Sequence, residues 1–261
     1  MARPTLTLAI TSYNRPDRLA SALRSVVRQR AIDKVIVVDD CSDPPLRLRH
    51  VPADVRLILH ESNRGVSAAR NSAIEAARTS HIAFLDDDDK LLPWAALAWK
   101  RWLSDAADPD TIVAGSLLVG PPGRLPRARR TPPTTGRGVI WGLDAKPAGR
   151  SFATKQAAAL PVALLRRVGG FDTALRSRVT SELFFRLTAE APVVGHRLPV
   201  YWLNRGEHRR ITTDPERREQ SVDYIRRKHG RLFDNPARRD AFESNHAEMT
   251  ARISGEAKTS R

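Results

Sequence analysis

The chain has 261 residues, 41% of them hydrophobic, enough to bury one large core or a core with an appendage. Its single cysteine, Cys41, excludes an internal disulfide, and its longest apolar run, Ala157 to Leu165, is broken by Pro161 and falls far short of the roughly 20 residues of a membrane helix. The formal net charge of +15 is lopsided: residues 1–114 hold 16 Lys+Arg against 15 Asp+Glu, and residues 115–261 hold 28 against 14.

Thr5–Thr11 has the pattern of a strand, and Arg18–Arg28 that of a helix with Leu19, Ala22, Leu23, Val26 and Val27 on one face. Val35–Val38 is a short, continuously apolar run, as expected of a strand buried on both sides of a parallel sheet. Val55–Leu59 is a further strand, Val66–Arg78 a helix of small residues, and Ile82–Leu85 the next strand. Such alternation predicts a doubly wound, mainly parallel α/β sheet flanked by helices, with ligands at the carboxyl ends of the strands. Residues 119–150 are rich in Pro, Gly and Arg and predict a long loop. Phe152–Leu165 returns to strand and helix patterns, Val179–Ala189 predicts a helix, Val193–Leu203 a strand or hairpin, and the sequence from Pro215 onward a basic amphipathic helical tail. The expected organisation is a ligand-binding half over 1–115, a second half of the same domain over 116–212, and a tail over 213–261.

Polar residues gather where the strands end. Thr11-Ser12-Tyr13-Asn14-Arg15 follows the first strand, Asp39-Asp40-Cys41-Ser42 the second, and Asp86-Asp87-Asp88-Asp89 the fourth. Each alone is explained by a turn or a helix cap; the three together mark one working edge. Four adjacent carboxylates repel one another, so the last segment calls for positive charge, either the chain's own arginines or a cation. The basic second half has two readings. One is a compositional bias toward arginine, with 37 Arg against 7 Lys; the other is an acidic partner.

The ordered set TSYNR (11–15), VVDDCS (37–42), NRGVSAARN (63–71), FLDDDDKLLP (84–93), VGGFD (168–172) and VYWLNRGEH (200–208) resembles family-two glycosyltransferases of the GT-A fold over residues 5–210. The resemblance implies transfer of a sugar from a nucleoside diphosphate, a UDP-sugar first, with inversion. It implies a Mg²⁺ or Mn²⁺ ion on hard oxygen ligands. In it Asp88 is a metal ligand, Asp86 lies near the ribose or metal, Asp87 fills a variable position, and Asp89 is a helix cap before Pro93. His208 resembles a late histidine that joins the metal or diphosphate. Thr11 and Tyr13 match base-contacting residues, with Arg15 in the same nucleotide-binding segment. Asp40, with Asp39, matches the acceptor of the base imide N–H, and Arg70 an arginine that approaches the nucleotide. Gly65 is expected to turn the chain into the small-residue helix. Asp172 lies on the acceptor side or caps a helix.

The sequence departs from that pattern at the catalytic base. The acidic pair expected two and three residues before Glu182 is Val179-Thr180, and neither side chain accepts a proton as a base. Glu182 is the nearest carboxylate and a surrogate base, although a first-turn acid also suits a helix dipole. Two other readings stand beside the transferase: a nucleotide-sugar-binding protein with lost or weak catalysis, and a basic binder of nucleic acid or a membrane surface. The transferase reading carries no nucleic-acid partner and a cytoplasmic setting, compatible with peripheral contact at the inner membrane face. Its acceptor is phosphorylated, lipid-linked or a small molecule, met by residues 119–160, the arginines around Arg127, Arg129 and Arg130, and those of the tail.

Overall fold

The computed structural model describes residues 3–48, 55–121, 124–132, 140–141, 154–204, 215–236, 238–240, 242–244 and 246–247. The first half follows the apolar alternation: β1 (Leu6–Ser12), α1 (Pro16–Val26), β2 (Lys34–Asp39), β3 (Val55–Leu59), α2 (Gly65–Ala76) and β4 (His81–Asp86). These strands pair in parallel in the order β3-β2-β1-β4. Successive side chains of a strand point to opposite faces, and here both faces are covered. Leu6, Leu8, Ile10, Val35, Val37 and Leu85 pack into one core with Leu19 and Leu23 of α1. Ala9, Ile36, Val38 and Ile82 pack into the other with Ala69, Ala73 and Ile74 of α2.

Beyond β4 the sheet becomes mixed. β5 (Lys90–Leu91), α3 (Ala95–Asp105), β6 (Ile112–Gly120), β7 (Ala128–Arg130), β8 (Ile140–Trp141), β9 (Ala158–Pro161), α4 (Val162–Arg167), α5 (Val179–Glu190), β10 (Val193–Asn204) and α6 (Pro215–Lys228) follow in chain order. The full strand order is β3-β2-β1-β4-β9-β6-β10-β5, with β7 on β6 and β8 on β10. β9 is antiparallel to both β4 and β6 and stitches the two parallel sets into one sheet. β6 runs through residue 115, so the two expected halves share a single sheet. The predicted loop over 119–150 is corrected in part: it contains the end of β6, then β7 and β8.

The described residues of the tail contribute to the core. Val222 and Ile225 of α6 are fully buried with Leu183 and Leu187 of α5, and Phe242 packs tilted against Phe185 and edge-on against Phe233 at centroid distances of 5.6 and 5.0 Å. No helix among the described residues is long and apolar enough to cross a membrane.

Candidate functional site

Parallel register brings the three polar strand ends side by side: Ser12 lies opposite Asp39, and Thr11 opposite both Val38 and Asp86. The turns that follow are clamped together. Asn14, at a φ of 54°, donates its N–H to Ser42 Oγ at 2.8 Å and accepts the N–H of Asp43 on Oδ1 at 2.8 Å. Thr11 is half-buried and Tyr13 exposed, so both are presented at this edge.

The two aspartates of the second strand end are turned inward. Asp39, 1% exposed, accepts the N–H of Ser42 at 3.0 Å and of Leu46 at 2.9 Å. The Asp40 carboxylate takes Arg64 N–H at 2.9 Å and Gly65 N–H at 2.7 Å and pairs with His60 Nδ1 at 2.8 Å. It therefore caps α2 from outside, satisfying N–H groups that a helix start leaves orphaned and placing negative charge at the positive end of the helix dipole. Gly65 makes the expected turn, at a φ of +84°. Asp39 and Asp40 thus build this edge through their bonds to neighbouring backbone and to His60.

The acidic run divides by direction. Asp87 points inward, accepting Ser12 Oγ–H at 2.8 Å and an Arg15 guanidinium N–H at 3.4 Å; burial pushes its carboxyl up, against the pull of Ser12 and Arg15. Asp86 accepts Arg70 Nη2–H at 2.6 Å, and among the described residues Asp88 pairs with Arg18 alone, at 3.9 Å. Asp89 is 1% exposed and accepts Tyr201 O–H at 2.8 Å and Asn204 N–H at 2.7 Å. Burial first, then the charges of Asp86 and Asp88, push the Asp89 carboxyl up to about 8. The helix-cap role expected of Asp89 is thus replaced by an anchor to β10; Trp94 occupies the N-cap of α3 and makes no side-chain capping bond. One oxygen each from Asp86, Asp88 and Asp89 lie within 4.8 Å of one another. Hard oxygen donors under mutual repulsion are the donor type that holds a hard divalent cation.

Arg70 links this run to the second half. Its Nη1 lies 3.4 Å from Thr180 Oγ1 and its guanidinium carbon 5.2 Å from the centroid of Phe171. The next residue, Asn71, fixes Phe171 by two bonds, accepting its N–H at 2.7 Å and donating to its carbonyl at 2.8 Å. Gly170 has a φ of +67°, and a Cβ there would stand 2.5 Å from Asn71 Oδ1, so the turn admits only glycine. Asn71 received no role from the sequence, although it lies inside the quoted NRGVSAARN.

The two carboxylates singled out in the second half, Glu182 and Asp172, are both engaged within the protein. Glu182 is fully buried, accepting two bonds from Arg186 at 2.7 Å each and pairing with His229 Nε2 at 2.7 Å. Burial would push its carboxyl up, but His229 and Arg186 outweigh that and hold it below the ordinary value. Asp172 accepts Ala174 N–H at 2.9 Å and pairs with Lys228 at 2.6 Å, which tethers a turn to α6. Of the arginines considered for an acceptor, Arg127 is exposed and Arg129 donates to the carbonyl of Arg197. His208 lies outside the described residues.

A family model described as Glycosyl transferase family 2 matches residues 7–154. Succinoglycan biosynthesis protein ExoO of Rhizobium meliloti (strain 1021) is 40% identical over 94 residues, 34% of this chain and 27% of that protein. Putative glycosyltransferase EpsH of Bacillus subtilis (strain 168) is 34% identical over 114 residues, 41% of this chain and 33% of that protein. The matched part thus spans a third or less of these relatives' length. An uncharacterized glycosyltransferase of Haemophilus influenzae is 23% identical over 235 residues, covering 85% of this chain and 76% of its own. The solved structure of S. aureus TarS 1–349 in complex with UDP-GlcNAc superposes with a TM-score of 0.61 at 17% identity, over 85% of this chain and 65% of that one, a likeness of fold.

Proposed function

The chain belongs to glycosyl transferase family 2, and from that premise we propose that it is a glycosyltransferase that transfers a sugar from a UDP-sugar to an acceptor, with inversion and with a divalent cation. The observation that carries this reading is the meeting of Asp86, Asp88, Arg70 and Thr180 at the carboxyl edge of the sheet. The complexes of S. aureus TarS with UDP and with UDP-GlcNAc support uridine diphosphate as the sugar carrier.

In this reading Tyr13 offers its exposed ring and Thr11 its hydroxyl to the base, while Asp40 holds the α2 N-terminus in place beside it. Mg²⁺ or Mn²⁺ on Asp86 and Asp88 would stabilise the negative charge of the departing diphosphate. Arg70 adds a fixed positive charge at the same point, oriented by its bond to Asp86. Thr180 marks where the acceptor oxygen approaches.

The test of the reading is thermal stabilisation by UDP, GDP and ADP sugars, with Mn²⁺ or with a chelator, followed by an assay of nucleoside diphosphate release. A UDP-sugar should raise the unfolding midpoint only with the cation present. The reading is wrong if no nucleotide sugar gives a cation-dependent rise.

Position 180 gives a second expected result. A general base contributes about 10²–10⁴-fold, so Thr180 implies a slow enzyme rather than a dead one. Thr180→Asp should raise nucleoside diphosphate release in the presence of acceptor, because a carboxylate then stands within reach of Arg70 and the acceptor. A rate at or below wild type would remove position 180 from proton transfer.

A further inference from the structure

Both ring nitrogens of His60 are engaged. His60 follows β3 directly, and its N–H extends the pairing with β2 by donating to the carbonyl of Asp39 at 2.9 Å. Its side chain, 5% exposed, places Nδ1 2.8 Å from Asp40 Oδ1 and Nε2 2.9 Å from Ser72 Oγ. A carboxylate only accepts, so Nδ1–H donates to Asp40; in the neutral ring Nε2 then accepts the Ser72 O–H. The order of groups is that of a serine nucleophile with its base, but His60 and Asp40 are buried, so the three serve as a tie between elements.

That tie grips α2 at two levels. Asp40 accepts the N–H groups of Arg64 and Gly65 at the helix start, and Ser72 lies roughly two turns further along. Asn71, through its two bonds to Phe171, holds another flank of the same helix. Successive helical residues point about 100° apart, so Asn71 and Ser72 reach different neighbours and together fix the rotation of α2. The helix needs such ties, because Ala69 and Ala73, which it buries against the sheet, form only shallow ridges. Arg70 precedes Ser72 by two residues and works at the end of a long side chain, 2.6 Å from Asp86 and 3.4 Å from Thr180. A small turn of the helix is magnified there, and a misplacement of about 1 Å costs up to about 10²-fold at a reacting centre.

We propose that His60 is a positioning residue for the donor diphosphate: through Ser72 and Asp40 it sets the rotation of α2, and hence the place where Arg70 meets the phosphate charge. It touches no substrate and acts through Arg70. A guanidinium binds phosphate oxygens in directed, charge-assisted bonds, so its placement matters more than its charge alone. The assignment rests on the donor reading for what Arg70 meets; the tie itself does not.

The test titrates the whole chain, with Mn²⁺ present, with UDP and with uridine; the ratio of the two affinities isolates what the diphosphate adds. Arg70→Ala and His60→Ala should each lower that ratio about tenfold. The double variant should lie within about twofold of Arg70→Ala alone, because His60 acts through Arg70. Ser72→Ala cuts the same tie while favouring the helix, so it should fold even where His60→Ala does not, and should lower the ratio about threefold or more. Thermal midpoints are measured alongside. A ratio kept in Ser72→Ala and in folded His60→Ala, with only the midpoint lowered, makes the tie structural and overturns the proposal. An unchanged ratio in Arg70→Ala, or a full further loss in the double variant, overturns it as well. In each of these cases wild type still prefers UDP, and the donor reading stands. A wild type that binds UDP no tighter than uridine overturns the donor reading and this assignment with it.

Discussion

Asp88→Ala should abolish cation-dependent UDP binding and leave the fold intact. The Asp88 side chain is 19% exposed, and among the described residues its only ion pair is to Arg18 at 3.9 Å, a contact of little stabilising value. Removing it also relieves one of the charges that push the Asp89 carboxyl up, so any change in stability should be small. What disappears is one of the oxygens that lie within 4.8 Å of each other around the cation position. Loss of a direct ligand should exceed the roughly 10–100-fold that an outer-shell change costs. Asp87→Ala is the contrasting variant. Its carboxylate holds Ser12 at 2.8 Å and Arg15 at 3.4 Å, so β1 and β4 lose a buried tie worth about 1–3 kcal/mol of stability. UDP affinity of the folded fraction should survive. Calorimetry with Mn²⁺ present decides the matter: equal affinity in wild type and Asp88→Ala would sink the metal assignment.

The donor edge was legible because its signals are local. A parallel strand buried on both faces is a short apolar run, and the polar residue that ends it is the next letter in the sequence. Asp86 at the end of β4 and Thr11 near the end of β1 could therefore be placed side by side once the α/β alternation was recognised. Gly65 could be placed because its left-handed turn demands glycine. Side-chain direction within the polar segments was not legible. Asp39, Asp40, Asp87 and Asp89 look in sequence like ligands waiting for a partner, yet each is satisfied by the protein. The partners of Asp89 and Asp172 lie 112 and 56 residues away, and no local pattern encodes them. The same holds for β9, whose four residues become a strand through antiparallel pairing with both β4 and β6.

Glu182 gives the sharpest separation between structure and catalysis. Its bond to Arg186 follows the i, i+4 spacing of a helix and can be read from the sequence; its bond to His229, 47 residues on, cannot. Arg186 in turn donates to the carbonyls of Val168 at 2.6 Å and Gly170 at 2.7 Å, so the group joins α5, the glycine turn and the segment after α6. Glu182→Ala leaves Arg186 and His229 without their buried counter-charge and should cost about 3–5 kcal/mol, a large share of the ~5–15 kcal/mol that a folded domain has. Glu182→Gln should cost less, since one oxygen still accepts, but its amide N–H₂ then faces donors. The acid limb of stability should change as well. The carboxyl of Glu182 is held below its ordinary value of 4.5, so its contribution is fully present above that pH and is lost as the pH falls through the lowered value. In Glu182→Gln this part of the acid dependence should disappear. Urea unfolding from pH 3 to 7 measures both effects, and nucleoside diphosphate release per folded molecule completes the comparison. A structural Glu182 predicts a lower unfolding midpoint with turnover per folded molecule retained. A catalytic Glu182 predicts the reverse, unchanged stability with turnover down by about 10²–10⁴-fold, and that result would return the base to α5.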